Sequence, residues 1–351
     1  LKVSELGEIA LLREIILKSV NQTGEDAGDD CAHIEVAGRE MLWSIDPCPT
    51  PAARWFGLDS PEVYGWYTAL INLSDIAASG GTPLGMLVSL EFPDETTVEF
   101  VEGFQQGLKF ALDKYGVKLF GGNVKSAPKF SATGSILGLV DGRRSPRRRI
   151  DEPEVAAYLV GPIGYFWTSI VAHHMGDADA LAAFGGDLRK ALCYPEPQVS
   201  AGRALGELPY DIACMDCSDG VLNALHQLAV ASSLDLTLVE GLVERIPSSF
   251  KAILLRHGFN PENAIFQFGD WQLLCFVARK HAGNFEERMA EFSVTYLGEA
   301  RAGSGCVSSA KGQVANRAML NENFVGGYNS IAAIDDLIDR FMMAPIFDGK
   351  A

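Results

Sequence analysis

Short apolar runs alternating with stretches of helical period constrain this chain most. MLWSID (residues 41–46), PLGMLVSLEF (83–92), FSATGSILGLV (130–140), AAYLVG (156–161), YDIACMD (210–216), LDLTLV (234–239) and QLLCFVA (272–278) have the length and side-chain content of strands. A shorter strand is expected over residues 32–36, and VKLF (117–120) reads as another that ends at Gly121-Gly122. Helical spacing predicts an opening helix over residues 5–20, carried by Leu6, Ile9, Leu12, Ile16 and Val20. Asp59 and Ser60 are placed to cap a second helix that begins at Pro61 and stops at Gly80-Gly81. Further helices are expected over residues 97–115, up to about Met175, and from Gly220. With 351 residues and 48% hydrophobic content, the chain has enough material for two domains with their own cores. The Arg-rich turn DGRRSPRRRIDEPE breaks the pattern, so the expected division is residues 1–150 and 151–351 of an α+β protein.

Charge narrows what such a protein handles. The chain carries 29 basic and 45 acidic residues, a net charge of −16, which opposes non-specific attraction to nucleic acid or an anionic membrane. An anionic substrate therefore needs local cations or bound metal. The most lipid-like run, residues 155–172, is interrupted by Gly161, Pro162 and Gly164, and reads as a strand, a turn and a helix. Seven scattered cysteines do not form a disulfide framework, and the first residues lack the basic-then-apolar order of a signal peptide. Cytoplasmic residence is the expectation.

The stretch ACMDCSDGVLNALHQLA (213–229) offers two chemistries at once, a thiol pair at Cys214 and Cys217 and a carboxylate pair at Asp216 and Asp219. Zinc would need two more ligands, yet the remaining cysteines are isolated and His173-His174 has the wrong spacing. A redox pair is compatible with a strand-to-helix turn, but nothing else in the chain resembles such a fold. Ser218 or Asp219 can also serve simply as a helix cap, though a cap accounts for one carboxylate and not two. Elsewhere, Asp29 and Asp30 follow Gly28 just before a strand, where a solvated acidic turn is the plain alternative, and Asp46 closes an apolar strand. Asp75 interrupts an apolar helix, and burial there demands a partner. Aspartates at strand ends and helix starts, without a histidine cluster, suit magnesium better than zinc or iron, and magnesium among carboxylates points to phosphate chemistry. Neither a P-loop nor a dinucleotide fingerprint is present. Five arginines between residues 143 and 149 are available to phosphate oxygens.

In order, the segments ELGEIALLREI, GDDCA, SID, NLSDIAASGGTPLGMLVSLEFP, GGN, the Arg-rich turn, MDCSDGVLNALHQLA and GDWQLL resemble the thiamine-monophosphate kinase family of the aminoimidazole ribonucleotide synthetase-like superfamily. The resemblance covers nearly the whole chain. It implies a homodimer whose N-terminal domains pair through a shared sheet, with ATP near that interface and its phosphates held by Mg2+. Carried over by position, Asp30, Asp46, Asp75, Asp216 and Asp219 match metal-holding residues. Gly122 and Ser218 match nucleotide contacts, Asn123 stands beside them where many members have Asp, and one of Arg147 or Arg148 matches a phosphate-binding arginine. Asp30, Asp219 and Arg148 are the expected catalytic residues. On the acceptor side the chain departs from the family. Trp55 replaces a histidine, Gln267-Phe268-Gly269-Asp270-Trp271 replaces Gly-Gly-Glu-Asp-Tyr, and Tyr328 keeps the aromatic that packs on thiamine. Trp55, Gly269, Asp270 and Tyr328 are thus the expected acceptor contacts. The implied reaction is transfer of the ATP γ-phosphoryl group to a small acceptor, with thiamine monophosphate giving thiamine diphosphate. Two other readings stay open: activation of a carbonyl or amide oxygen for cyclisation or dehydration, and nucleotide binding for regulation without turnover.

Overall fold

The computed structural model describes residues 2–20, 28–314, 321–324 and 326–349. The chain opens with two single turns, α1 (Val3–Leu6) and α2 (Glu8–Leu11), followed by a π-helical and a 3-10 turn to Ser19. The continuous helix expected over residues 5–20 is therefore broken. Gly7 takes a φ of 83°, and the next turn directs Glu8 and the Ile9 amide to residues 322 and 323. Residues 24–27 of the predicted acidic turn lie outside the described residues.

The first sheet contains β1 (Ala32–Val36), β2 (Arg39–Pro47), β3 (Thr82–Phe92), β4 (Lys118–Ser126) and β5 (Ser131–Leu139), in the order β1-β2-β5-β3-β4. All its pairs are antiparallel except β3 with β4. A parallel pair needs a long crossover, and α4 (Val98–Lys114) supplies it. β4 does not end at the glycine pair as predicted. The register slips by one residue between Met86 and Leu87, opposite Leu119 and Gly121, and pairing then continues from Val88 and Gly122 to Phe92 and Ser126. The glycines thus lie at a bulge inside the strand, where an extra residue is accommodated.

Helix α3 (Pro61–Ala78) crosses beneath this sheet and is buried along most of its length. It packs on α4 at backbone distance, since a Cβ at Gly65 would lie 2.1 Å from the Phe104 carbonyl oxygen and one at Gly107 2.0 Å from that of Glu62. Its other side touches β7 (Ile212–Asp216) and α7 (Val199–Gly206). Ser60 occupies the N-cap position of α3 without a capping hydrogen bond, while the Asp59 carboxylate accepts from the Tyr64 hydroxyl at 3.0 Å.

The second sheet is built from β6 (Glu154–Val160), β7, β8 (Leu234–Leu238), β9 (Leu273–Ala278), β10 (Val294–Ala302), β11 (Val307–Ser309) and β12 (Gly312–Gln313), in the order β12-β11-β8-β10-β6-β9-β7. Its inner strands β6 and β9 are buried on both faces, which explains their continuous apolar runs. Helices α5 (Tyr165–His174), α6 (Ala178–Cys193), α8 (Val221–Ser232), α9 (Ser248–Arg256), α10 (Pro261–Phe266), α11 (Ala282–Arg288) and α12 (Ile334–Ile338) complete this half. The run over residues 155–172 is the strand β6, a turn and α5, as its composition suggested. Among the described residues, no helix is long and apolar enough to cross a membrane.

Candidate active site

The contact of α3 with β7 brings aspartates from both halves of the chain into one cleft of about 1010 Å³. Asp30 enters from the loop before β1, Asp46 from the end of β2, Asp75 from α3, Asp216 from the end of β7, and Asp219 from the turn before α8. Asp30, Asp75 and Asp216 each present a carboxylate oxygen within 4.8 Å of the other two. Polar neighbours hold these side chains in place. The Ser44 hydroxyl donates to Asp75, the Ser218 hydroxyl donates to Asp216 at 3.0 Å, and the Asn321 amide donates to Asp219 at 3.3 Å. Neither Ser218 nor Asp219 caps α8, whose N-cap is Gly220 without a side-chain bond.

This concentration of buried negative charge is electrostatically incomplete. Burial, reinforced by the Asp30 carboxylate, pushes Asp216 up to about 7, and burial with Glu8 and Asp216 pushes Asp219 up to about 8. Burial drives Asp75 far above the carboxylate range, with Asp46 and Asp216 adding to the effect, and burial raises Asp46 as well. Among the described residues, the Asp216 Oδ2 atom is buried without a hydrogen-bond partner. An oxygen-only donor set with an orphaned carboxylate oxygen fits a hard divalent cation such as Mg2+.

Arg148 supplies positive charge at the rim of this cluster. Its Nη2 donates to Asp30 Oδ1 at 2.8 Å, its Nε to Oδ2 at 3.4 Å, and its Nη1 to Gln227 at 3.5 Å. Burial works against the charged guanidinium, but Asp30 and the neighbouring aspartates outweigh it and hold Arg148 charged. Of the two candidate arginines, only Arg148 lines the cleft. Arg147 instead bonds Glu40 at 2.8 Å and Asp29 at 3.5 Å, while its carbonyl accepts from the Cys214 amide. That backbone bond anchors the Arg-rich turn to β7.

The cleft also has an aromatic lining, formed by Tyr67, Phe166, Phe268, Trp271 and Tyr328. Tyr328 meets Phe268 edge-on at 5.2 Å, and its hydroxyl donates to the Thr50 carbonyl at 2.7 Å. Trp55 does not line the cleft. Its ring backs Tyr328 at 5.6 Å, its Nε1 donates to the Ala332 carbonyl, and the Arg54 guanidinium lies 4.3 Å above it. Gly269 does line the cleft, and only glycine fits there: φ is 114°, and a Cβ would lie 2.2 Å from the Phe166 ring. Asp270 faces away. Its carboxylate accepts from the amides of Gly164, Tyr165 and Phe166 at 2.5, 3.2 and 2.7 Å, which satisfies the otherwise uncapped start of α5. Trp271 has φ of 53°, a left-handed conformation that costs a bulky residue about 1–3 kcal/mol.

Gly122 and Asn123 sit on the exposed edge strand β4 and are not part of the cleft lining within one chain. Cys214 and Cys217 are fully buried free thiols, and Cys214 pairs across the sheet with Cys275, its sulfur 3.8 Å away. Burial raises both thiols well above their usual range, so neither is poised as a nucleophile or ligand. Sequence reasoning missed Tyr67 and Phe166, which are hidden in apolar helical runs, and Asn321, which lies in a segment without periodicity.

Comparison with known proteins places this geometry in a family. Residues 28–140 match the family model described as AIR synthase related protein, N-terminal domain. Thiamine-monophosphate kinase of Aquifex aeolicus is 27% identical over 316 residues, covering 89% of this chain and 97% of that enzyme. The Escherichia coli K12 thiamine-monophosphate kinase is 30% identical over 260 residues, covering 71% of this chain and 75% of its own. A solved structure, AaThiL complexed with AMPPCP and TMP, superposes with a TM-score of 0.73 at 25% identity, covering 88% of this chain and 95% of that one. The chain belongs to the thiamine-monophosphate kinase family.

Proposed function

We propose that this protein transfers the γ-phosphoryl group of ATP to the phosphate of thiamine monophosphate, producing thiamine diphosphate and ADP. One observation carries this reading: five aspartates, Arg148 and a set of aromatic side chains line a single cleft. Asp30, Asp75 and Asp216, with Asp46 and Asp219 alongside, would hold Mg2+, which would supply charge neutralisation for the transferring phosphoryl group. Ser44, Ser218 and Asn321 fix the orientation of these carboxylates, so little reorganisation accompanies the reaction. Arg148 places a fixed positive charge beside the incoming phosphates, oriented by Asp30 and Gln227. The aromatic lining accepts a flat ring and leaves its phosphate directed toward the aspartates. No side-chain base is required, because the attacking oxygen belongs to a phosphate monoester whose second pKa is about 6. In keeping with that, no histidine lines the cleft among the described residues.

The active form we propose is a homodimer. The outer face of the first sheet exposes Trp43, Ile45 and Leu87, and the edge strand β4 exposes Phe120 and Val124. A contiguous apolar face of this kind is unusual on a monomer, and a second copy would cover it. Pairing there would also close Gly122 and Asn123 against a nucleotide. The measured mass in solution tests this, with Ile45→Glu expected to yield monomers. Seven free cysteines support a reducing, cytoplasmic setting.

Incubation with ATP, Mg2+ and thiamine monophosphate, followed by separation of products, tests the activity. Equal amounts of ADP and thiamine diphosphate are expected. ADP with inorganic phosphate and a dehydrated or cyclised organic product would instead indicate activation of a carbonyl or amide oxygen.

A further inference from the structure

Asn321 links an aspartate of the cleft to one of its aromatic residues. Its side-chain Nδ2 donates to Asp219 Oδ1 at 3.3 Å, and its Oδ1 accepts from the backbone amide of Tyr328 at 2.6 Å. The orientation of the side-chain amide is dictated by its surroundings, since a flip would set an NH2 against the Tyr328 N–H and an oxygen against a carboxylate. Tyr328 is in turn fixed by its hydroxyl bond to Thr50 and by ring contacts to Trp55 and Phe268. On the other flank, Glu8 accepts from the backbone and side-chain amides of Asn323, and Glu322 accepts from the Ile9 amide. The loop therefore has anchors of its own, and the bond to Asp219 is an additional connection to the carboxylate cluster.

We propose that Asn321 is a positioning residue that couples cation binding at the aspartates to the placement of Tyr328 in the aromatic lining. The proposal rests on the reading of the aspartates as the Mg2+ site. A cation held at Asp219 immobilises its carboxylate, which immobilises the Asn321 amide, which in turn strengthens the hold of Asn321 Oδ1 on the Tyr328 N–H. Only a side chain with a donor and an acceptor on one short planar group performs both tasks. Aspartate lacks the donor, and alanine lacks both functions. Coupling of this kind is reciprocal, so a molecule held against Tyr328 tightens Mg2+ binding by the same factor.

Amide hydrogen exchange at Tyr328, with Mg2+ alone as the probe, tests the coupling without reference to any acceptor. In the wild-type protein we expect Mg2+ to slow exchange at Tyr328 by about three- to tenfold, the factor one hydrogen bond supplies. In Asn321→Ala the Mg2+ effect on Tyr328 should vanish while Mg2+ still raises the melting temperature, which shows that the variant is folded and binds the cation. In Asn321→Asp the Tyr328 amide keeps an acceptor, so its basal exchange should stay near wild type, but Mg2+ should no longer slow it. Mg2+-dependent protection that survives in Asn321→Ala, or its absence in a wild-type protein that Mg2+ stabilises, overturns the proposal alone. A wild-type protein whose melting temperature ignores Mg2+ overturns the cation site and the proposal with it.

Discussion

The carboxylate cluster predicts a steep pH dependence of Mg2+ binding. Asp216 and Asp219 titrate near about 7 and about 8 in the folded protein, against 3.8 for an ordinary aspartate. Between about pH 4 and pH 8 these two groups alone therefore bind up to about two protons more in the metal-free folded chain than in the unfolded chain. Stability of the metal-free protein falls as pH rises through that window, by up to about 2.7 kcal/mol per unit when both sites titrate together. Mg2+ reverses the trend because it takes the place of those protons. Through Asp216 and Asp219 its affinity rises by up to about two powers of ten per pH unit below about pH 7, a contribution that levels off above about pH 8. If the cation is at about 100 times its dissociation constant at pH 8, it adds about 2.7 kcal/mol, or about 4 °C in melting temperature for a chain of 351 residues. At about pH 5.5 the same Mg2+ concentration should shift the melting temperature by less than about 1 °C. Thermal unfolding at the two pH values, with and without Mg2+, measures this. An equal shift at both would show that the buried aspartates do not hold the cation.

Asp75→Asn should lower turnover by about 10²–10³ while leaving metal-free stability at pH 8 unchanged or raised, since it keeps the shape and replaces a carboxyl whose ionisation burial opposes; steady-state rates and thermal unfolding together check it. Gly269→Glu, which restores the family's residue, should destabilise the protein, by about 1–3 kcal/mol from collision with Phe166 and a similar amount from the backbone at φ 114°. Denaturant unfolding would reveal that loss, and an unchanged midpoint would refute the account of the acceptor side. Cys214→Ala with Cys217→Ala should keep full turnover with and without reductant, losing about 1 kcal/mol of stability per thiol. A rate that collapses in that variant at unchanged fold would return chemistry to the thiols.

What could be read directly from the sequence follows from how local each signal is. Strands with strict alternation or continuous apolar runs, such as β5, β6 and β9, are legible because burial of one face or both writes itself into consecutive residues. Helix α6 passed unread because Gly185-Gly186 lies in its middle, and β10 because the bulge at Gly298 and the charged Glu299 and Arg301 break its alternation. The opening helix was overextended, since nothing local announces that Glu8 and Ile9 bond to residues more than 300 positions away. Aspartates at element ends were visible as candidates, and Asp75 stood out because it violates the polarity of its helix. Asp270 and Trp55 show the limit of matching positions. Both lie in family motifs, yet in this chain one caps α5 and the other supports Tyr328 from behind. That Arg147 stays out of the cleft while Arg148 lines it goes with the backbone bond from Cys214 to Arg147, a tertiary contact without a sequence signature.

The fate of the γ-phosphorus of ATP tests the central claim most directly. With γ-labelled ATP, Mg2+ and thiamine monophosphate, the label should move to the terminal phosphate of thiamine diphosphate in the wild-type protein, and Asp219→Asn should leave it on ATP. Label recovered only as inorganic phosphate, or transferred equally well by Asp219→Asn, would contradict the account.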